Sequence, residues 1–99
     1  MVTLNSVRAA RNRILTGIRL TPCPHSESLS DLTGSRLYLK MENLQVTGSF
    51  KDRGALNKIS TLTEDERRCG VIAASAGNHA QAVSYFTTKL GIRAQICMP

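Results

Sequence analysis

The 99-residue sequence is poor in aromatic residues and has no long apolar run. Aromatic side chains make up 4% of it, and tryptophan is absent. Proteins that bind single-stranded nucleic acid stack its bases on such rings, so few stacking platforms are available here. No apolar stretch approaches the roughly 20 residues that a membrane-spanning helix needs. The sequence therefore predicts a soluble protein that binds neither nucleic acid nor membrane.

Cysteine is also scarce. Cys23, Cys69 and Cys97 lie far apart, no CxxC pair occurs, and His25 and His79 have no partner at metal-ligand spacing. An odd and dispersed set of cysteines argues against both a disulfide framework and a zinc site. It is typical of a reducing compartment, so we expect a cytoplasmic location and no bound metal.

Acidic residues are missing from positions 1–26, which contain four arginines, and the chain carries a net charge of +6. This basic start is superficially similar to a transit peptide. An ordinary first helix is the better interpretation, because Val7, Ala10, Ile14 and Ile18 recur at helical spacing. The basic residues are scattered along the chain, so a nucleic-acid-binding module is the weaker alternative.

The chain alternates between helical and strand patterns. The predicted elements are a helix capped by Asn5 or Ser6 and ending near Gly17, a short helix Ser26–Leu32, a strand Leu37–Met41, a helix Phe50–Ile59 capped by Ser49, a helix after Thr63 closed by Gly70, a strand Val71–Ala74, a helix Asn78–Leu90 ended by Gly91, and a strand Ala94–Met98. This order predicts an α/β fold of βαβ units with right-handed crossovers over a parallel sheet. Parallel sheets are normally covered on both faces. Because nothing after the last strand covers it, we expect a fragment of a longer protein.

Two turns between a predicted strand and a predicted helix concentrate the functional side chains. The first, Thr47–Ala55, holds Lys51 between two glycines. A lysine in the first turn of a helix lies against its electrostatic preference and, when partly desolvated, loses its charge more easily. Such a lysine suits Schiff-base chemistry. For this position taken alone, an ordinary surface lysine is the better interpretation.

The second turn, Ser75–Gln81, offers a glycine, a hydroxyl, a carboxamide and free amides at a helix start. These groups suit a carboxylate or a phosphate, and ligands of open α/β sheets bind beyond the carboxyl ends of the strands. The alternative is a plain helix cap supplied by Ser75 or Asn78. The pattern leaves both open. Neither a Walker loop nor a GxGxxG fingerprint occurs.

Together the two turns resemble a known family. The segments ENLQ (42–45), TGSFK (47–51) and RGA (53–55) look like the cofactor-lysine segment of threonine dehydratases, and SAGNHAQ (75–81) looks like their substrate-carboxylate loop. The opening from Ala10 to Pro22 is similar as well, so the resemblance covers nearly the whole chain. Short, catabolic-type members are the best match.

The resemblance implies the fold type II architecture of pyridoxal 5'-phosphate enzymes. Lys51 would hold the cofactor as a Schiff base and act as the catalytic base. Phe50 would lie against the pyridine ring, and Asn78 would hydrogen-bond the 3-hydroxyl. The substrate carboxylate would be bound by the second turn, through Ser75, Ala76, Gly77, Asn78 and His79.

The implied reaction is the deamination of L-threonine or L-serine to a 2-keto acid and ammonia, as in isoleucine biosynthesis. Serine racemase and threonine synthase are alternatives within the same fold. Asp52 follows the lysine in threonine and cysteine synthases too, whereas SAGNHAQ is more typical of dehydratases. A truncated product without activity is a further alternative.

The family pattern also implies a domain division. Residues 1–47 would contribute to the larger domain, and residues 48–99 would begin the smaller one. The loop that binds the cofactor phosphate and the residue that faces the pyridine nitrogen lie beyond position 99 in the family. We therefore expect the 99 residues alone to be inactive and the full-length enzyme to be a homo-oligomer.

Overall fold

The computed structural model describes all 99 residues, and its helices and strands follow one another in a βαβ arrangement preceded by helices. They are α1 (Leu4–Ile14), α2 (Glu27–Thr33), a 3-10 turn (Glu42–Leu44), α3 (Lys51–Ser60), α4 (Glu64–Cys69), β1 (Val71–Ala74), α5 (Asn78–Lys89) and β2 (Ala94–Cys97). The predicted α/β class is confirmed. No helix combines the length and the hydrophobicity that a bilayer crossing needs.

β1 and β2 form a parallel pair, with α5 as the crossover between them. Val71 pairs with Ala94 and Ala73 with Ile96, and the side chains of Val71, Ala73 and Ile96 pack against the core. The alternate residues face outward, and Ile72 is 76% exposed. A parallel sheet is normally covered on both faces, but this chain covers only one face of the sheet.

The core lies where α3 packs against α5, which is the most extensive contact between elements of the chain. Its buried members are Ile14, Ala55, Leu56, Ile59, Ala82, Val83, Phe86 and Ile92. The two helices run in the same direction. Gly54 and Ile59 of α3 share one cavity of about 320 Å³ with His79 and Val83 of α5, while Leu56 and Ser60 share another with Phe86 and Lys89. Both helices therefore begin at the same end of the molecule.

The predicted strand Leu37–Met41 is wrong, since only a single antiparallel bridge joins Tyr38 to His25. The Leu39 and Met41 amides donate to the carbonyl oxygens of Pro24 and Pro22, at 2.9 and 3.0 Å. Proline has no N–H, so neither Pro22 nor Pro24 can donate a hydrogen bond back to the facing segment, and no strand pairing develops. The first functional turn consequently follows the 3-10 turn and not a strand.

The predicted cap of α1 at Asn5 or Ser6 is also wrong. Thr3 is the cap: its hydroxyl accepts from the Ser6 amide, and the Ser6 hydroxyl accepts from the Thr3 amide. This reciprocal capping box satisfies two amides at once, which a cap at Asn5 or Ser6 would not do here. The helix ends at Ile14, three residues before Gly17. Gly70 and Gly91 follow the ends of α4 and α5 as predicted.

Gly70 joins α4 to β1 with φ of 86°, and a Cβ built there would lie 2.6 Å from the carbonyl oxygen of Arg93. That oxygen accepts the Val71 amide at the start of the sheet. Gly70→Ala should therefore lower the free energy of unfolding in urea by about 1 to 3 kcal/mol from backbone strain alone, and by more because of the clash. Gly91→Ala is the control, since φ is 67° there and a Cβ meets nothing within 4 Å. Equal losses in the two variants would contradict this account.

Candidate functional site

The first turn is closed by the carboxylate of Asp52. This side chain is fully buried, at 0% exposure. One oxygen accepts from the Thr47 amide at 3.1 Å and the other from the Thr47 hydroxyl. The Ser49 hydroxyl accepts from the Lys51 amide at 3.3 Å, as the predicted cap would, and Phe50 is the residue that flanks the regular helix. The backbone that carries Lys51 is thus held from both sides.

The side chain of Lys51 lies in solvent and is not paired with this buried carboxylate. Lys51 is exposed, and its ammonium forms no hydrogen bond or ion pair. Its nearest ring is that of Phe50, whose centroid lies 5.1 Å from Nζ and whose side chain is 60% exposed. The expected desolvation of the lysine is not supplied by this chain. The chain does supply an amine that has no hydrogen-bond or ion-pair partner.

Glu42 ties the beginning of the loop to α3. Its carboxylate accepts from Arg53 Nε at 2.8 Å and from Arg53 Nη2 at 2.7 Å, a bidentate ion pair. The Thr21 hydroxyl and the Gln45 amide donate to it at 2.6 and 3.2 Å. Chiefly because of the Arg53 hydrogen bonds, the pKa of Glu42 is lowered to about 2, and the pKa of Arg53 is raised.

Gln45 joins this loop to the segment that follows α1. Its buried side chain accepts from the Arg19 amide at 3.0 Å and donates to the Arg19 carbonyl oxygen at 2.9 Å. Lys40 adds a hydrogen bond from Nζ to the Thr21 carbonyl oxygen at 2.6 Å. Glu42, Gln45 and Arg53 belong to the cofactor-lysine segment, but the sequence did not predict their contacts. Opposite charges within one short motif were the only available signal.

The second turn continues directly from β1. The Ser75 amide donates to the Cys97 carbonyl oxygen at 3.0 Å, which extends the sheet by one hydrogen bond, and the Ser75 hydroxyl accepts from the Gly77 amide at 3.2 Å. Gly77 is the residue that flanks α5, and no side chain caps the helix. The plain-cap alternative for Ser75 or Asn78 is therefore wrong.

Four backbone amides at this turn have no partner within the chain, namely those of Ala76, Asn78, His79 and Ala80. Ala76 to His79 are exposed. Unpaired amides at a helix start favour a bound anion. Together with the unoccupied amine of Lys51, at the same end of the helix pair, they fit an aldehyde cofactor and a carboxylate substrate.

A family model described as "Pyridoxal-phosphate dependent enzyme" matches residues 14–99. The chain belongs to this family. The membership of a pyridoxal-phosphate enzyme family that the resemblance implied is thereby confirmed, with its fold type II architecture and its cofactor class.

Relatives with assigned activities match the whole chain. The L-threonine ammonia-lyase of Thermotoga maritima is 52% identical over 99 residues, and the catabolic L-threonine dehydratase of Escherichia coli K12 is 46% identical over 98. The crystal structure of serine racemase from Dictyostelium discoideum covers 99% of this chain, with 43% identity and a TM-score of 0.93. The chain spans only 25%, 30% and 32% of these three proteins, respectively.

The Glu42 carboxylate should make folding stability depend on acid pH. Its pKa is about 2 in the folded chain against an ordinary value of 4.5, so its contribution is complete above pH 4.5 and is lost as the pH falls towards 2. Glu42→Gln should lower the free energy of unfolding at pH 7, and the gap to the wild type should shrink across that window. Urea titrations at several pH values measure both effects.

Glu64→Gln is the matched control for this experiment. Glu64 is exposed in the first turn of α4 and takes part in no side-chain hydrogen bond, so its substitution removes one negative charge without removing a contact. A gap between wild type and Glu42→Gln that stays constant from pH 7 to pH 2 would contradict the role of the ion pair.

Proposed function

We propose that this chain is part of a pyridoxal-phosphate-dependent enzyme that deaminates L-threonine and L-serine to 2-keto acids and ammonia. The observation that carries the proposal is the pair of turns at one end of α3 and α5. One turn presents an unoccupied lysine, and the other presents unpaired amides. The identity of 46–52% to threonine ammonia-lyases and dehydratases supports this reaction over others of the family.

We propose the following roles for the site residues. Lys51 holds the aldehyde of the cofactor through Nζ, and Phe50, beside it and exposed, lies against the pyridine ring. Asn78 hydrogen-bonds the 3-hydroxyl of the cofactor from the first residue of α5. The substrate carboxylate is bound by amides and side chains of the second turn, from Ser75 to His79.

Proton transfer falls to the same lysine. Bound pyridoxal phosphate supplies an electron sink for the substrate Cα–H bond. The Lys51 Nζ, when it is not bonded to the cofactor, would be the basic group that accepts the Cα proton of the substrate. The second turn fixes the substrate by its carboxylate, which orients the Cα–H bond towards that amine. Loss of the β-hydroxyl group as water would leave an enamine. Its hydrolysis, which consumes one water molecule, would give the 2-keto acid and ammonia.

Further properties follow from the same proposal. Residues 1–47 contribute to a larger domain and residues 48–99 to a smaller one, in a homo-oligomeric full-length enzyme. The three free cysteines support a cytoplasmic location. The catabolic name of the Escherichia coli relative supports threonine breakdown rather than isoleucine biosynthesis as the metabolic role.

Lys51→Ala in a full-length enzyme that carries this sequence should abolish the visible absorbance of the lysine-bound cofactor and reduce deamination of L-threonine to background. The reason is that no other amine occupies this position. Lys58→Ala is the control, because Lys58 is also exposed on α3 and lies about two turns further along. Normal absorbance in Lys51→Ala would refute the assignment.

Serine racemization is the second candidate, and the TM-score of 0.93 to a serine racemase favours it specifically. Racemization and deamination both begin by removal of the Cα proton, so the described residues serve either reaction. Incubation of the full-length enzyme with L-serine, followed by chiral chromatography and keto-acid analysis, separates them. We expect keto acid as the main product; D-serine as the main product would favour the racemase.

A further inference from the structure

Asp52 is a charged side chain buried without a cationic partner. The ion pairs of the chain join Arg53 to Glu42 and Arg68 to Asp65, and neither includes Asp52. Burial of a carboxylate is unfavourable unless its oxygens are hydrogen-bonded. Both hydrogen bonds come from Thr47, five residues earlier. Both side-chain hydrogen bonds of the buried Asp52 carboxylate therefore serve to close this one turn.

The position of Asp52 in its helix does not explain this burial. Asp52 is the second residue of α3, and Asp65 is the second residue of α4, so both benefit equally from the helix dipole. The Asp65 side chain is nevertheless 82% exposed and pairs with Arg68 one turn along. Burial and the contact to Thr47 distinguish Asp52, and the turn that they close is the one that carries Lys51.

We propose that Asp52 is a positioning residue for the amine of Lys51. Its carboxylate anchors the backbone from Thr47 to α3 on the inner side, so the neighbouring Lys51 side chain must project outward beside the ring of Phe50. The inference rests on the proposed role of Lys51. In this role Asp52 needs its two hydrogen bonds to Thr47 and does not need its negative charge.

Three variants separate these properties. Asp52→Ala removes both hydrogen bonds. Asp52→Asn keeps the shape and removes the charge, because a carboxamide can accept from the Thr47 amide and donate to the Thr47 hydroxyl oxygen. Thr47→Val removes only the hydroxyl contact and leaves the amide contact, so it provides a milder test if Asp52→Ala does not fold. Asp65→Ala is the matched control from the same helical position.

The experiment uses a full-length enzyme that carries this sequence, from which the cofactor has been removed, with pyridoxal phosphate and borohydride. Borohydride traps the lysines that have reacted, and peptide mapping gives the labelling rate of Lys51 relative to the exposed Lys89. We expect Lys51 to react faster than Lys89 in the wild type, in Asp65→Ala and in Asp52→Asn. The ratio should fall by about tenfold in Asp52→Ala, which corresponds to about 1.4 kcal/mol, and by less in Thr47→Val. Circular dichroism verifies folding.

The outcomes distinguish the two proposals. An unchanged ratio in folded Asp52→Ala and Thr47→Val overturns the positioning role, and a loss of the ratio in Asp52→Asn shows that charge and not geometry is responsible. A wild-type ratio near one contradicts the cofactor role of Lys51 itself. In that case hydrogen exchange of the Thr47 and Lys51 amides decides on Asp52. Faster exchange in Asp52→Ala but not in Asp52→Asn supports the anchoring of Thr47 to α3 by Asp52, and unchanged exchange refutes it.

Discussion

The packing of α3 against α5 is the contact on which the rest of the structure depends. Leu56 and Ile59 of α3 meet Val83 and Phe86 of α5, and Phe86 is completely buried. Burial of such side chains is the main favourable contribution to folding, at about 25 cal/mol per Å² of apolar surface. Because the helices are parallel and each follows a functional turn, this contact also brings an amine and a set of free amides to one end of the molecule.

The two turns are stabilised in different ways, which suits their proposed tasks. Side chains close the first: Asp52 binds Thr47, and Glu42 binds Arg53. Neither contact involves the Lys51 amine, which therefore stays available to a ligand. The second turn is held by its own backbone as a continuation of the sheet. Its amides therefore keep their hydrogen-bonding capacity for a ligand.

Much of the local structure could be predicted from short-range patterns. The strands Val71–Ala74 and Ala94–Cys97 and the helix that starts at Asn78 lie where apolar periodicity and small-residue turns indicated. The strand at Leu37–Met41 failed because its partner segment contains prolines, and strand pairing is a property of two segments. The first cap failed because several polar residues near the start of α1 could serve, and the reciprocal geometry of Thr3 and Ser6 decided between them.

The sequence by itself determined the family and the residue types at both turns, because those depend on the order of residues along the chain. It did not determine which side chains would be buried or paired. Asp52 and Asp65 have the same local setting, yet one is enclosed and the other is exposed. Likewise, Glu42 accepts a hydrogen bond from Thr21, 21 residues earlier in the chain, as well as from Arg53 of its own motif. Such contacts arise only when the helices pack, so tertiary structure alone decided how the lysine is held.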